Sequence, residues 1–249
     1  MRRRGAKMTG LSPSIVTANG VLRDGAFRDI NVWVFDLDNT LYPSKINLFA
    51  QVDARMGAFI ARELNLPFEH ARFVQKDYYY RYGTTLAGLM KEHGIKPHAF
   101  LDYVHDIDLS GVPKLPELRR GLEALPGRKL IFTNGARRHA ERVSKRIGVL
   151  DLFEDICSIE SSDFVPKPKL EAFDHLVRAH GIDAKRAAMF EDLPHNLVPA
   201  HEIGMTTVLV HSDYQDHPAQ KEMAGWRNLP EHVHFLTEDL AKFLTEGWC

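Results

Sequence analysis

Short apolar runs recur along the chain, and each of them ends abruptly in polar residues. Four consecutive apolar residues precede Asp36, for example, and a similar run precedes Thr133. Uninterrupted apolar runs of this length predict strands that are buried on both faces, as in a parallel sheet. The predicted strands span residues 32–35, 129–133, 156–159, 187–190 and 206–210, with a further short one at 233–235.

Helical patterns separate these runs. They cover residues 137–147, 170–180 and 196–203, and Gly204 stands where a helix C-terminal cap is expected. A further helix is predicted over 238–245. Strands that alternate with helices predict an α/β fold, here a three-layer Rossmann-like core around a parallel sheet.

The segment 45–109 departs from this alternation because it contains helical patterns and no strand run. The helices are predicted over 52–64, 68–82, 84–93 and 98–107. We therefore expect a helical cap domain, 45–109, inserted into a core made of 29–44 and 110–249. Residues 1–28 are predicted to be a flexible tail.

Composition and charge narrow the class of protein. Hydrophobic residues make up 44% and charged residues 26%, as in ordinary globular proteins. Lys and Arg number 32 and Asp and Glu 33, a net charge of -1, which gives no general reason to expect a nucleic acid polymer or an anionic membrane as partner. The chain has two cysteines and no apolar stretch of membrane-spanning length, so we expect reduced thiols and a cytoplasmic location. Oligomeric state is left open.

Polar residues at the ends of the predicted strands should lie together, because ligands bind at the carboxyl ends of the strands in an open parallel sheet. The set contains carboxylates, a hydroxyl, an amide and a cation. Its members are Asp36, Asp38, Thr133, Asn134, Lys167, Glu191 and Asp192. These groups supply what a site for a phosphate ester and a metal ion requires.

Each of these groups has a chemical role to fill in such a site. The Asp36 carboxylate can attack phosphorus and form an acyl phosphate. Asp38, two residues later, can protonate the leaving alkoxide and then activate water. The accumulated negative charge calls for a hard divalent cation such as Mg²⁺, for which Asp192 is the best distant ligand.

Thr133 and the amides after it can donate to phosphoryl oxygens, and Lys167 adds a positive charge. Taken singly, each motif has an ordinary interpretation. Asp-x-Asp can begin a turn, Thr-Asn-Gly is a common turn sequence, and Lys167 can be an exposed loop lysine. The joint occurrence of the motifs, in order and at strand ends, favours the phosphate site.

Four segments resemble the motifs of the haloacid dehalogenase superfamily: residues 35–41 (FDLDNTL), 133–135 (TNG), 167–173 and 191–196. The resemblance implies that Asp36 is the nucleophile, Asp38 the acid/base, and Thr133, Asn134 and Lys167 the phosphate-binding residues. It further implies Mg²⁺ bound by Asp36, the backbone carbonyl of Asp38, and Asp192. The acid at position 38 is typical of the superfamily's phosphatases and is missing in its dehalogenases.

Asp-Asn-Thr-Leu-Tyr at 38–42, the helical cap and the acidic pair at 191–192 resemble the pyrimidine 5′-nucleotidase subgroup. This resemblance implies hydrolysis of UMP or CMP to nucleoside and phosphate. Two alternatives stay open on the same scaffold: a phosphosugar phosphatase and a phosphomutase. A non-catalytic regulatory protein that binds phosphate is a third, against which the intact pair Asp36 and Asp38 argues.

Two departures from the family pattern concern the fourth motif. Leu193 replaces a small polar residue, and Asn196 stands where a second acid is common. Glu191 and Asn196 are therefore candidates for the outer shell of the metal. Candidate substrate contacts are Tyr42, Asn47 and Arg81.

Overall fold

A sheet of seven strands forms the centre of the protein in a computed structural model that describes residues 15–17, 27–211 and 218–246. The strand order is β1-β7-β6-β5-β2-β3-β4. Neighbouring strands are parallel except β1, which pairs antiparallel with β7. The strands are β1 (Ile15–Thr17), β2 (Val32–Phe35), β3 (Arg128–Phe132), β4 (Asp155–Cys157), β5 (Ala187–Glu191), β6 (Thr206–Val210) and β7 (Phe235–Thr237). The predicted α/β core with a parallel sheet is confirmed.

Strand β2 lies between β5 and β3 and is buried on both faces. Trp33 and Phe35 belong to the hydrophobic core on one side of the sheet, and Val34 belongs to the core on the other side. The Phe35 ring stacks on Phe190 of β5 at 4.6 Å between centroids. Successive side chains of one strand thus fill two separate cores, which explains the uninterrupted apolar run in the sequence.

Helices cover the sheet and build the cap. Between β2 and β3 come α1 (Leu48–Glu63), α2 (Phe68–Tyr82), α3 (Thr85–His93), α4 (Pro97–Val104) and α5 (Pro116–Ala124). After β3 come α6 (Arg137–Ile147), α7 (Leu170–His180), α8 (Pro194–Glu202), α9 (Pro218–Met223) and α10 (Leu240–Glu246). The first four form the inserted helical cap that the sequence predicts.

The cap has its own hydrophobic contacts. The rings of Phe59 in α1 and Phe100 in α4 meet edge to face at 5.2 Å. Helices α2 and α3 approach closely at Gly88, where an added Cβ would lie 2.5 Å from Tyr78. Thr84 caps α3 by accepting a hydrogen bond from the backbone N–H of Ala87 at 3.1 Å.

The structure differs from the sequence prediction at several ends of elements. Helix α5 was not predicted; its first turn is set by Pro116, and its apolar face packs closely on α10, because a Cβ at Gly121 would lie 2.8 Å from Leu244. Strand β1 lies inside the segment 1–28, so a flexible tail is wrong at those three residues. The rest of 1–26, residues 212–217 and 247–249 lie outside the described residues.

Within the described ranges, every helix is too short or too polar to cross a bilayer.

Candidate active site

The carboxyl ends of three adjacent strands, β5, β2 and β3, bring the predicted polar residues to one edge of the sheet. Asp36 directly follows β2, Thr133 directly follows β3, and Glu191 is the last residue of β5. Lys167 comes from the loop between β4 and α7. All four of these side chains line a single cleft between the sheet and the cap.

Lys167 connects the polar groups at this edge of the sheet. Its side chain is 1% exposed, and Nζ donates to Asp36 Oδ1 at 2.8 Å and to Glu191 Oε2 at 2.7 Å. The third bond goes to the backbone carbonyl of Phe132 at 2.8 Å. An ammonium group has three donors, so every donor is used. The lysine is therefore fixed in position beside Asp36 and is not a solvated loop residue.

Asn134 holds the lysine's loop. Its Oδ1 accepts from the backbone N–H of Lys167 at 2.8 Å, and its Nδ2 donates to the Lys167 carbonyl at 3.1 Å. Both ends of the amide are thereby engaged with one backbone residue. The structure places Asn134 in the lining of the cleft, where its side chain positions Lys167.

Glu191 is fully buried and bonded through both oxygens. Besides the bond to Lys167, its Oε1 accepts from the backbone N–H groups of Asp192 at 3.1 Å and Leu193 at 3.2 Å. Glu191 thus ties the lysine to the loop that carries Asp192.

Negative charge exceeds positive charge at this edge. Burial raises the pKa of Asp36 to about 7, with a contribution from Glu191 and against the opposing effect of Lys167. Burial likewise raises the pKa of Glu191 to about 7. One ammonium group does not offset three neighbouring carboxylates, so a further cation would stabilise their ionised forms.

The donor set fits a hard divalent cation. Asp36, Glu191 and Asp192 each offer a carboxylate oxygen, and these atoms lie within 4.8 Å of one another. Asn196 lines the same cleft, and its Oδ1 is buried with no hydrogen-bond partner in the described part of the chain. Oxygen donors of this kind suit Mg²⁺, which keeps waters and takes few carboxylates.

Asp38 is held by two donors on one oxygen. Its Oδ1 accepts from the Tyr42 hydroxyl at 2.6 Å and lies 2.9 Å from His139 Nε2. Its Oδ2 is on the side of Gly135, where an added Cβ would lie 3.6 Å away. Burial acts to raise the pKa of Asp38, but the charge and hydrogen bond of His139 and the bond from Tyr42 outweigh it, and the pKa is lowered. One oxygen is therefore anchored and the other is free of those two bonds.

Thr133 completes the core side of the cleft. Its side chain is buried, and Oγ1 accepts from the backbone N–H of Gly135 at 2.9 Å. A hydroxyl that accepts this bond still has its own hydrogen to donate.

The cap contributes seven apolar residues and a similar number of polar ones to the cleft, whose volume is about 200 Å³. The apolar lining residues are Phe49, Val52, Met56, Leu86, Phe100, Leu101 and Val104. Among the polar ones, Gln75 is 3% exposed and donates to Asp53 Oδ1 at 2.7 Å, while its Oε1 accepts from Arg72 at 2.9 Å. Helix α2 therefore presents Gln75 with its hydrogen bonds already made.

A polar contact joins helix α2 of the cap to helix α8 of the core, beside the carboxylates. The Tyr79 hydroxyl lies 3.5 Å from His195 Nε2, and His195 Nδ1 lies 3.2 Å from Glu222 Oε2. Both Tyr79 and His195 line the cleft. Neither residue was proposed from the sequence as a substrate contact.

The three residues proposed from the sequence as substrate contacts lie outside the cleft lining. Tyr42 is fully buried behind Asp38. Asn47 has a positive φ of 58° at the start of α1, and Arg81 is exposed and pairs with Asp77 at 2.9 Å. In the part of the chain that the structure describes, none of the three belongs to the residues that surround the cleft.

His139 contacts Asp38, and the sequence analysis did not name it as a candidate site residue. It lies on the buried face of α6, with Ala140, Val143 and Ile147. A histidine on the apolar face of the helix that follows the second motif was the available signal. Its partner is 101 residues away, so only the fold reveals the contact.

Two known proteins are each similar to about three quarters of this chain. The chain is 29% identical over 203 residues to phosphate metabolism protein 8 of Saccharomyces cerevisiae, a match that covers 74% of this chain and 63% of the yeast protein. It is 28% identical over 201 residues to glyceraldehyde 3-phosphate phosphatase of Methanocaldococcus jannaschii, covering 74% and 86% of the two chains.

A solved structure shares the fold. The HAD phosphatase from Thermococcus onnurineus superposes with a TM-score of 0.54 at 17% identity, covering 87% of this chain and 97% of the other. The family model of the haloacid dehalogenase-like hydrolases matches residues 30–204, which include all four motifs. The chain belongs to the haloacid dehalogenase-like hydrolase family.

Proposed function

We propose that the protein is a magnesium-dependent phosphomonoester hydrolase that works through an aspartyl-phosphate intermediate on Asp36. The observation that carries the proposal is the paired geometry of Asp36 and Asp38 at the end of β2. Asp36 is fixed by Lys167, and Asp38 is anchored by Tyr42 and His139, at the bottom of one cleft. A nucleophile and an acid/base are thereby held side by side.

In the first step, a carboxylate oxygen of Asp36 attacks the phosphorus atom of the ester. The bond from phosphorus to the ester oxygen breaks, and that oxygen takes the proton of Asp38 Oδ2 and leaves as an alcohol. Asp38 takes this proton from solvent as the ester enters, because the negative charge of the phosphate disfavours its ionised form. The Thr133 hydroxyl donates to a phosphoryl oxygen.

In the second step, a water molecule attacks the phosphorus atom of the aspartyl phosphate. Asp38 Oδ2 takes a proton from this water, the acyl phosphate bond breaks, and the Asp36 carboxylate is restored with release of inorganic phosphate. Lys167 stays bonded to Glu191 and Phe132 throughout, so its charge remains beside the reacting group. The sum of the two steps is ester plus water giving alcohol plus phosphate.

Asp36 and Asp192 are the residues that we expect to hold Mg²⁺, with the backbone carbonyl of Asp38 as a further ligand and Glu191 and Asn196 around it. When bound there, the ion would offset the charge that accumulates when a carboxylate meets a phosphate. The excess of buried carboxylate over ammonium groups supports this assignment.

As substrate we propose a pyrimidine nucleoside 5′-monophosphate. The cap wall supports this proposal, because it presents seven apolar residues to the cleft and includes three aromatic side chains, Phe49, Tyr79 and Phe100. Flat bases gain more from such a wall than hydroxyl-rich sugars do.

A small phosphosugar is the second candidate. A cleft of about 200 Å³ is below the roughly 300 Å³ at the lower end of typical ligand sites. One of the relatives carries the name glyceraldehyde 3-phosphate phosphatase. Both observations favour a small leaving group.

A panel of phosphate esters tests these proposals by release of inorganic phosphate in the presence of Mg²⁺. UMP, CMP, purine monophosphates, triose phosphates and hexose phosphates are compared by kcat/KM. We expect phosphate release from UMP and CMP to be the fastest. Faster release from a sugar phosphate would replace the nucleotide assignment, and no release from any ester would overturn the phosphatase itself.

A further inference from the structure

His139 has no assigned role in the chemistry described above, yet its ring touches the acid/base. It is 1% exposed, on the buried face of α6, and its Nε2 lies 2.9 Å from Asp38 Oδ1. We propose that His139 is the positioning residue for Asp38 and that, together with Tyr42, it fixes which carboxylate oxygen carries the catalytic proton. The proposal rests on the phosphatase function proposed above.

Tyr42 and His139 both contact the same oxygen of Asp38, Oδ1. The Tyr42 hydroxyl is 2.6 Å from Oδ1, and so two hydrogen bonds converge on one of the two carboxylate oxygens. A carboxylic acid whose Oδ1 accepts two bonds keeps its proton on Oδ2. The arrangement is the same whether Asp38 is protonated or ionised, because Oδ1 only accepts in either state.

The other carboxylate oxygen, Asp38 Oδ2, is directed towards the cleft. Oδ2 lies on the side of Gly135, at 3.6 Å from where a Cβ would be, and Gly135, Thr133 and Asp38 all line the cleft. With Oδ1 anchored, rotation of the carboxyl group is prevented. The exchangeable proton is therefore presented to the leaving oxygen in the first step and collected from water in the second.

His139 is itself held in place by a neighbouring ring. The imidazole of His105, at the end of α4, stacks on the His139 ring at 4.3 Å between centroids and 19° between planes. His105 is 9% exposed and lines the cleft. A flat ring packed on a flat ring fixes the orientation of His139, which a hydrogen-bonding role requires.

The test compares two esters that differ in their need for an acid. An alkyl phosphate such as UMP, or the alkyl phosphate that is hydrolysed fastest, needs a proton on its leaving oxygen. p-Nitrophenyl phosphate releases a stable phenolate and does not. Since kcat/KM reports the transfer of phosphate to Asp36, the ratio of the two kcat/KM values measures general-acid assistance.

We expect His139→Leu to lower kcat/KM for the alkyl ester by about 10- to 100-fold and for p-nitrophenyl phosphate by less than about threefold. His139→Gln, which restores an N–H donor, should recover most of the loss. Tyr42→Phe should give the same selective pattern, because it removes the other bond to Oδ1. In an Asp38→Ala background, His139→Leu should have no further selective effect.

Ser144→Ala is the matched control. Ser144 lies on the same helix, is fully buried, and its Oγ has no hydrogen-bond partner among the described residues. This variant should leave both kcat/KM values unchanged. Thermal melting of every variant separates loss of fold from loss of function.

Equal losses on the two esters, no loss on the alkyl ester, or a selective loss that persists without Asp38 would each overturn the positioning role while leaving the phosphatase standing. By contrast, a wild-type protein that releases phosphate from neither ester would overturn the phosphatase, and the role of His139 with it.

Discussion

At the scale of single residues, the site depends on hydrogen bonds that leave no donor of Lys167 unused. The ammonium group joins Asp36, Glu191 and the carbonyl of Phe132, all buried. Removal of one partner from such a group strands the others in a medium that solvates charge poorly. Asp36, the proposed nucleophile, is thus already oriented by Lys167 in the absence of substrate.

Asp36→Asn should abolish turnover and leave the fold intact. The amide keeps the size of the side chain and can still accept from Lys167, but it is not a competent nucleophile. We expect the rate of phosphate release to fall by more than about 1,000-fold. The melting temperature should stay close to that of the wild type, which circular dichroism can check. A variant that turns over at a rate near wild type would disprove the nucleophile assignment.

At the scale of elements, helix α6 clamps the chain segment that returns from the cap to the core. Arg142 donates to the carbonyls of His105 at 2.8 Å and Ile107 at 3.0 Å. Arg146 donates to the carbonyl of Val112 at 2.6 Å. The helix that carries His139 therefore also determines where the last cap helix ends.

Arg142→Ala should destabilise the protein by about 1–3 kcal/mol, because it leaves two carbonyl groups without their charged donor. Urea denaturation measures the loss. Arg138→Ala is the matched control, since Arg138 is exposed on the same helix. A change of the same size in both variants would show that the clamp contributes nothing specific.

At the scale of the whole molecule, the excess of carboxylates at the site makes the stability of the fold depend on pH and on metal binding. Asp36 and Glu191 have pKa values raised to about 7 in the folded protein, above those of an unfolded chain. Groups with raised pKa values bind more protons when folded, so their contribution to stability is full at low pH and is lost as pH rises through about 7.

Mg²⁺ should reverse this loss. The ion binds the ionised carboxylates and competes with protons, so its stabilising effect should grow as pH rises from about 5 to about 8. Melting temperatures with Mg²⁺ and with EDTA, measured across this range, give the difference directly. EDTA should also stop phosphate release and Mg²⁺ restore it. A metal effect that is independent of pH would contradict the assignment of these carboxylates.

Much of this molecule could be read from local sequence. The strands before Asp36 and Glu191 were predicted because a strand between two others is apolar on both faces, which leaves an uninterrupted run in the sequence. The site residues at strand ends followed from the same pattern. Mg²⁺, the roles of these residues and the boundaries 45–109 of the cap stay predictions.

Contacts between distant segments could not be predicted in this way. No local pattern joins His139 to Asp38. Nor does the sequence show which face of a cap helix turns to the cleft: Gln75 and Tyr79, one turn apart on α2, line it, whereas Arg81 is about 200° around the helix from Tyr79. Short motifs therefore predict the residues at the strand ends, whereas the cap residues that line the cleft are determined by how the cap packs on the core.

The bonds of Lys167 have a consequence for how the protein is made. During synthesis Asp36 emerges first, Lys167 follows 131 residues later, and Glu191 another 24 residues after that. Until Glu191 and strand β5 have left the ribosome, strand β2 lacks one of its two neighbouring strands, and Lys167 lacks the Glu191 carboxylate that helps to fix it beside Asp36. We therefore expect an unfinished chain to carry Asp36 without this orientation, and the proposed site to be complete only after Glu191 has emerged.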